Sequence, residues 1–351
     1  MITQITLFFN IFLIYLYTLF PTVAAYRDSG EFCSVGKILG IAHPPGYPFY
    51  TLLINIFGRI FPLGNYAYRI NIFSAITSSC VAVGFYKLYI FLNEKIYKEN
   101  RPKIIYRIVG YLSSLIFAFG YLQWYLSLVS EMYTLNTLFA FILVYLCILY
   151  FLKEKRFVYL SCFVFGLGIT NRLDLIFFSP LIILVFFDYI KYCKKKFKTF
   201  LTSLFIFLLG FSCYLYLPIR SAQDPFIDWN NPQKINSLWA SLIRKTHGST
   251  LDLISKGYKK AENFFEGLKL YFYYIYKNFT AIGIMFVILG FVNIYKFNFD
   301  IFLSLFLSWI LSCVYFIYKA NMPPNPHSFA ILEAHFLLPN IIVFVWFIFG
   351  V

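Results

Sequence analysis

The sequence predicts an all-α polytopic membrane protein: a bundle of about ten transmembrane helices, with short interfacial helices in the loops on one side. Three observations predict it. The chain of 351 residues is 60% apolar and 23% aromatic but only 13% charged, where a soluble domain carries about 25%. Uncharged runs long enough to cross a bilayer recur along it. Lys and Arg gather in short clusters between those runs, which is the pattern of cytoplasmic loops. Topology therefore explains much of the net charge of +15, and no nucleic-acid partner is implied. The seven cysteines are scattered, mostly inside apolar runs. They show no CxxC, zinc or disulfide spacing, and packing is their expected role. The whole chain, 1–351, reads as one transmembrane domain of a multi-pass protein in a bacterial inner membrane or its equivalent.

Met1 to Tyr26 carries no charge, and a first span is expected at about 3–22. A signal peptide needs a positive n-region, and no Lys or Arg precedes Arg27, so a retained helix is expected. Residues 23–68 form the first extracytoplasmic loop. Within it, 48–61 puts Phe49, Leu52, Leu53, Ile56, Phe57 and Ile60 on one face. This segment is too short to cross and is expected flat at the interface. Span two runs from about 70 to 92, and Lys95, Lys98, Arg101, Lys103 and Arg107 mark the cytoplasmic side.

Ile108 to Leu152 holds one charge, Glu131, in 45 residues. At ~1.5 Å per residue this is two spans with a tight turn, and Glu131 falls near that turn. Lysine-rich clusters at 153–156 and 191–198 bracket only 34 residues, 157–190. Two short spans with an outer turn at 170–174 keep both clusters inside. Span seven, about 199–218, ends in Leu217-Pro218-Ile219-Arg220. The long extracytoplasmic loop 219–277 follows. It opens with turn signals at Asp224-Pro225 and Asp228-Trp229-Asn230-Asn231-Pro232. An amphipathic helix is expected at 236–247, with Trp239, Leu242 and Ile243 ahead of Arg244, Lys245 and His247. Spans eight and nine lie at about 279–295 and 301–318, and a loop around 321–327 precedes a final span at 335–351. The inner loops then hold 15 Lys+Arg against five acids, and the outer segments hold the other 15 against ten. Both ends of the chain are cytoplasmic on this reading.

That topology puts Asp28, Glu31, His43, Glu131, Arg172, Asp174, Arg220 and Asp228 on one outer face, which suggests a single outward-facing site. Asp28-Ser29-Gly30-Glu31 comes just as the first span should leave hydrocarbon, where acids are costly and so are functional candidates. The plainer reading is a capping box of Asp28 and Glu31, with Gly40 as the helix stop and Pro44-Pro45 as the breaker. Both readings suit one short helix with the two carboxylates on one face. Plainer readings exist for the others too. His43 would hydrogen-bond a turn, Glu131 would cap a helix or pair with Arg172, and the arginines would snorkel or bind headgroups.

Asp-Ser-Gly-Glu at 28–31, His-Pro-Pro-Gly-Tyr-Pro-Phe-Tyr at 43–50 and Phe-Pro-Leu-Gly-Asn-Tyr-Ala-Tyr-Arg-Ile-Asn at 61–71 resemble the start of the protein O-mannosyltransferase-like membrane family. Further elements fit in the same order: Ser130 to Asn136, Gly168-Ile169-Thr170-Asn171-Arg172, Leu215 to Arg220, and Asp228 to Pro232. The resemblance covers residues 26 to about 250. Ile331 to Pro339 is similar to a later family element, with His335 where Arg is expected.

The resemblance implies a GT-C-type bundle and a glycosyltransferase, inverting at the anomeric carbon. It would move mannose or a similar hexose from a polyprenyl-phosphate carrier to a hydroxyl of a protein or glycan, on the extracytoplasmic face. Its other partners are membrane lipids. In the family's protein mannosyltransferases the acidic pair is adjacent; here Asp28 and Glu31 are three apart, so which is the base stays open. Asp28 is the first choice, with Glu31 orienting the acceptor or holding a cation. His43, Tyr47, Glu131, Tyr133, Asn171, Arg172, Arg220, Asp228, Arg244 and Lys245 are the candidate substrate-binding residues. The four cations among them face the departing phosphate. Two carboxylates are a thin oxygen shell for Mg²⁺, so no tightly bound cofactor is expected and a divalent cation is left open. The rival reading is a transporter or flippase of a lipid-linked sugar, which also uses broken helices; a third is a non-catalytic scaffold.

Overall fold

The computed structural model describes residues 2–97, 102–152, 155–245 and 259–351. His247 and the charges Lys98, Glu99, Arg101, Lys153 and Glu154 fall outside them. The described residues form helices and connecting turns with no strand. A single parallel bridge joins Ile41 to Asp228. A bilayer enforces this, because backbone groups in hydrocarbon must be satisfied within their own segment.

Helix α1 (Ile2–Thr18) buries Leu7, Ile11 and Tyr15 along one stripe, as positions four apart must. α2 (Ser29–Ile38) and α3 (Pro48–Ile60) follow. α4 (Tyr66–Leu92) starts where the Asn65 side chain accepts the Tyr68 N–H at 2.9 Å, an ordinary N-cap. α5 (Lys103–Ala118) turns through 67° into α6 (Tyr121–Ser127). α7 (Tyr133–Phe151) and α8 (Val158–Asn171) lead through a 3₁₀ stretch into α9 (Ser179–Tyr192). α10 (Lys196–Phe211) continues into α11 (Tyr216–Ser221), and α12 (Ile235–Leu242) lies in the loop beyond. α13 (Phe264–Phe297) is kinked at Thr280, where φ is 56°. α14 (Phe299–Trp309) passes through a π turn into α15 (Phe316–Ala320). α16 (Pro326–His335) meets α17 (Leu337–Gly350) at 51°.

Six stretches among the described residues are long and apolar enough to cross a membrane, and the two bent pairs raise the number to eight. The expected ten is not reached, for a reason of length. A spanning helix needs about 20 residues; α1 has 17 and α8 has 14. One further difference stands out: the span expected from 279 starts at Phe264. The loop expected at 321–327 is non-helical over 321–325, and α16 begins at Pro326. α3 buries Tyr50 and Ile54 and leaves Ile56 and Ile60 of its other apolar face exposed.

Two close helix pairs hold the bundle. A Cβ on Gly166 would sit 2.2 Å from the Phe207 carbonyl oxygen, and one on Gly290 would sit 1.6 Å from that of Trp346. Small residues that let backbones touch are the usual way to pack helices in lipid, where burial alone offers no drive.

Candidate functional site

α2 is the platform. The chain reaches it through Arg27 in the left-handed region (φ 60°) and Asp28 at its N-cap position, but the Asp28 side chain makes no capping hydrogen bond. The left-handed residue that ends α2 is Leu39 (φ 55°), not Gly40. Gly40 is needed for another reason: a Cβ there would lie 2.9 Å from the Ile227 carbonyl oxygen. Glu31 does not close a capping box either. Its Oε1 accepts the His43 backbone N–H at 2.7 Å, and its Oε2 meets His43 Nδ1 at 2.8 Å.

The loop between α2 and α3 aims His43 at that carboxylate. Gly46 (φ 96°) donates its N–H to the His43 carbonyl at 2.9 Å, and the Leu217 side chain fills the space where a Cβ would be. His43 Nε2 then faces the Tyr47 hydroxyl at 3.3 Å and Asp28 Oδ2 at 3.9 Å. Tyr47 is buried. Burial pushes its hydroxyl pKa up, with Arg172 and Arg244 pulling the other way. The Asp28 side chain is 48% exposed, against 14% for His43, so Asp28 is the rim of the cluster.

Behind it lies Glu131, in the turn between α6 and α7. Its side chain has no solvent contact, and its Oε1 accepts the Asp28 backbone N–H at 2.8 Å. Burial, then the nearby Asp28 carboxylate, pushes the Glu131 carboxyl up to about 8. Its Oε2 is buried with no hydrogen-bond partner among the described residues.

Arg172 sits in the turn after α8. Asp174 lies 2.9 Å from its Nε, its Nη2 meets His335 Nε2 at 2.6 Å, and its guanidinium stands over the Tyr133 ring at 4.2 Å. Burial works against its charge, but Asp174 and the Tyr133 and Tyr47 hydroxyls outweigh it, so its pKa stands above the ordinary range. Asn171 donates to the Met132 carbonyl at 3.4 Å and ties the end of α8 to the turn before α7.

The remaining sequence-predicted residues lie around this core with different duties. Arg220 donates from Nε to the Leu39 carbonyl (2.7 Å), from Nη2 to that of Ile38 (3.3 Å) and from Nη1 to Gln223 (2.6 Å). It thus serves the last carbonyls of α2, which have no helical donor. Asp228 accepts the Ser221 hydroxyl at 2.7 Å beside the Ile41 bridge, pinning the long loop to the end of α2. Arg244 (φ 52°) is half-buried with its Nε unpaired among the described residues, and Lys245 is exposed.

Sequence reasoning missed the pair that closes the other side. Arg27 Nη2 lies 2.8 Å from Glu333 Oε1, and its Nη1 donates to the Ala330 carbonyl at 2.6 Å. Glu333 also accepts the Tyr274 hydroxyl. Arg27 stands over the Tyr125 ring at 5.6 Å, and Tyr125 stacks on Tyr26. The available signal was slight: Arg27 is the first charge of the chain and Glu333 is the acid in the block Ile331 to Pro339. Tyr125 also lines a groove of about 650 Å³ beneath the α5–α6 bend, with Trp124, Tyr121, Leu128, Lys277 and Asn278.

Asp28, Glu31 and His43 each bring one possible metal donor atom within 4.8 Å of the others. Both Glu31 oxygens already serve His43, so the residues form a carboxylate–imidazole pair beside a second acid.

Residues 28–196 match a family model described as the protein O-mannosyl-transferase TMEM260 N-terminal domain. Protein O-mannosyl-transferase tmem260 of Dictyostelium discoideum is 26% identical over 369 aligned positions, covering 97% of this chain and 43% of the relative. Protein O-mannosyl-transferase TMEM260 of Mus musculus is 28% identical over 233, covering 63% of this chain and 31% of the relative. The chain thus spans less than half the length of these curated relatives. No solved structure matches. The order of its motifs and these likenesses make the chain similar to the O-mannosyltransferase-like membrane family.

Proposed function

We propose that the chain is a membrane glycosyltransferase of GT-C type. It moves mannose or a similar hexose from a polyprenyl-phosphate carrier to a Ser or Thr hydroxyl of a protein, on the extracytoplasmic face. One observation carries the reading: the half-exposed carboxylate of Asp28 stands at the rim of a cluster of charged groups, with buried Glu131 behind it and Arg27 and Arg172 close enough to act on that acid. The two relatives, each named a protein O-mannosyl-transferase, support the sugar and the acceptor class.

The chemistry follows from that placement. A serine hydroxyl is a weak nucleophile, so a positioned base is needed. As the hydroxyl oxygen attacks the anomeric carbon, Asp28 takes its proton. The bond from that carbon to the phosphate breaks, and its electron pair leaves on the phosphate. A single displacement of this kind inverts the anomeric centre. Negative charge grows on the phosphate, where Arg172 and Arg244 supply fixed positive groups in a site of low polarity. The aromatic groove that shares Tyr125 with Arg27 suits the carrier's hydrocarbon chain, and Lys277, 3.7 Å from the Tyr121 ring centroid, is a cation at its edge.

The test is transfer in vesicles holding the purified chain, a labelled lipid-linked hexose and a Ser/Thr peptide. Labelled peptide is expected from the wild type, and Asp28→Asn should slow its formation about 10²-fold or more with carrier binding kept. Undiminished transfer by Asp28→Asn would remove Asp28 from the mechanism. Label that crosses the membrane without reaching peptide would favour transport and overturn the reading.

A further inference from the structure

α16 is held between two arginines. Glu333 reaches Arg27, and His335, two residues on, reaches Arg172. The second contact has only one possible sense. A guanidinium donates and never accepts, and a carbonyl only accepts. Arg172 Nη2 lies 2.6 Å from His335 Nε2, and His335 Nδ1 lies 3.1 Å from the Ile331 carbonyl. The proton is therefore on Nδ1 and the lone pair on Nε2, so His335 is a neutral acceptor. The Phe316 ring stacks on the imidazole, with centroids 4.5 Å apart and planes 18° apart, and holds its plane. Arg172 is thus engaged at two of its three nitrogens, Nε by Asp174 and Nη2 by His335. Its Nη1 is buried with no hydrogen-bond partner among the described residues. Leaving a charged donor buried and unpaired is costly, and an acceptor from outside the chain would remove that cost. The neutrality of His335 matters here. A second carboxylate in its place would make the group around Arg172 net negative and repel an anion at Nη1. An imidazole holds the guanidinium and leaves its charge balanced against Asp174 alone.

We propose that His335 is a positioning residue, which holds the Arg172 guanidinium so that Nη1 donates to the phosphate departing from the sugar. The inference rests on the transfer reaction proposed above. Negative charge grows on that phosphate as the bond to the anomeric carbon breaks, and a donor already held in place stabilises it without reorganising. Three contacts fix the guanidinium. Asp174 and His335 take two of its nitrogens, and the Tyr133 ring lies against its face at 4.2 Å. Arg244, whose Nε is also buried and unpaired among the described residues, is close enough to act on the same Tyr47 hydroxyl and Asp174 carboxylate. Two guanidinium groups with N–H donors to spare suit a phosphate, which offers several acceptor oxygens. His335 exchanges no proton on this account. It acts on the reaction only through Arg172.

The experiment uses the full chain in vesicles with lipid-linked hexose and peptide, and compares kcat and KM for wild type, His335→Leu and His335→Gln. Losing the acceptor in His335→Leu should lower kcat about 10²-fold with the carrier KM little changed, because the contact counts as charge develops. His335→Gln can present an amide oxygen where Nε2 stood and should recover most of that loss. A role in packing alone predicts the opposite order, since leucine suits a buried site better than glutamine. The comparison is repeated in Arg172→Lys, which keeps the charge beside Asp174 but has a single nitrogen and no fork. There His335→Leu should cost nothing further. Thermal midpoints in detergent check the folding of each variant. The ¹⁵N spectrum of histidine-labelled wild type tests the geometry without any active variant: His335, assigned by its absence in His335→Gln, should carry its proton on Nδ1. A proton on Nε2, equal losses in His335→Leu and His335→Gln, or additive losses in the Arg172→Lys background would each overturn the inference. A wild type that transfers no sugar would sink the transferase reading too, whereas an active wild type with additive losses sinks only the part given to His335.

Discussion

Glu131 is an acid buried away from the protein surface. Burial, and the Asp28 carboxylate near by, hold its proton until about pH 8. Its ordinary pKa is 4.5, so the folded state binds that proton more tightly than the unfolded one. The stability this gives is complete below about pH 4.5. It is lost as pH rises toward 8, by roughly 1.4 kcal/mol per pH unit. Glu131→Gln keeps an oxygen for the Asp28 N–H and has nothing to ionise. Its thermal midpoint in detergent should match the wild type near pH 5 and exceed it near pH 8. Parallel melting curves for the two proteins across that range would contradict the assignment. Glu131→Ala leaves the Asp28 N–H unserved and should cost roughly 1–3 kcal/mol. At this scale much of the site was legible. Asp28, Glu31 and Glu131 announce themselves as charges where charge is expensive. What could not be read was the partner of each. The sequence suggested a capping role for Glu31, and only the turn at Gly46 shows that it serves His43 instead.

At the scale of helices, the backbone contacts between α13 and α17 and between α8 and α10 give a prediction with a sign. A Cβ on Gly290 would collide with the Trp346 carbonyl, a backbone atom that cannot turn aside. Gly290→Ala should destabilise by roughly 1–3 kcal/mol or more. Gly30 in α2 has only Val23 Cγ1 near by, at 3.6 Å, so Gly30→Ala should be neutral or stabilising, since alanine favours helix over glycine by up to about 1 kcal/mol. Equal melting points for the two variants would contradict the packing. Charge clusters placed the apolar runs well, and the α8–α9 pair turns at Arg172 as expected. The 67° and 51° bends and the Thr280 kink were not legible. They depend on what each helix meets across the bundle, and Gly120 and Phe336 at the two bends read in sequence like ordinary members of apolar runs.

At the scale of the molecule, the proposed sidedness makes its own prediction. Lys245 belongs to the loop that follows α12, and Lys195 to the basic turn between α9 and α10. A cysteine at Lys245 should react with a membrane-impermeant maleimide on intact cells. One at Lys195 should react only after permeabilisation, each judged against the seven native thiols. The reverse order would turn the molecule over and place the Asp28 cluster on the cytosolic side. The gathering of rare polar residues into one place was readable from topology. The closure of that place by α16 was not, because nothing local to Arg27 points to a partner so far along the chain.

That separation has a consequence for how the protein is made. Arg27 waits 306 positions for Glu333, and Arg172 waits 163 for His335. At 5–20 residues per second, the first interval lasts roughly 15–60 s of synthesis. Through that interval Arg27 lacks its final counterpart, and from the time residue 172 is made Arg172 lacks its own as well. The cluster around Asp28 is therefore closed only after α16 has been made, long after its first charges enter the membrane.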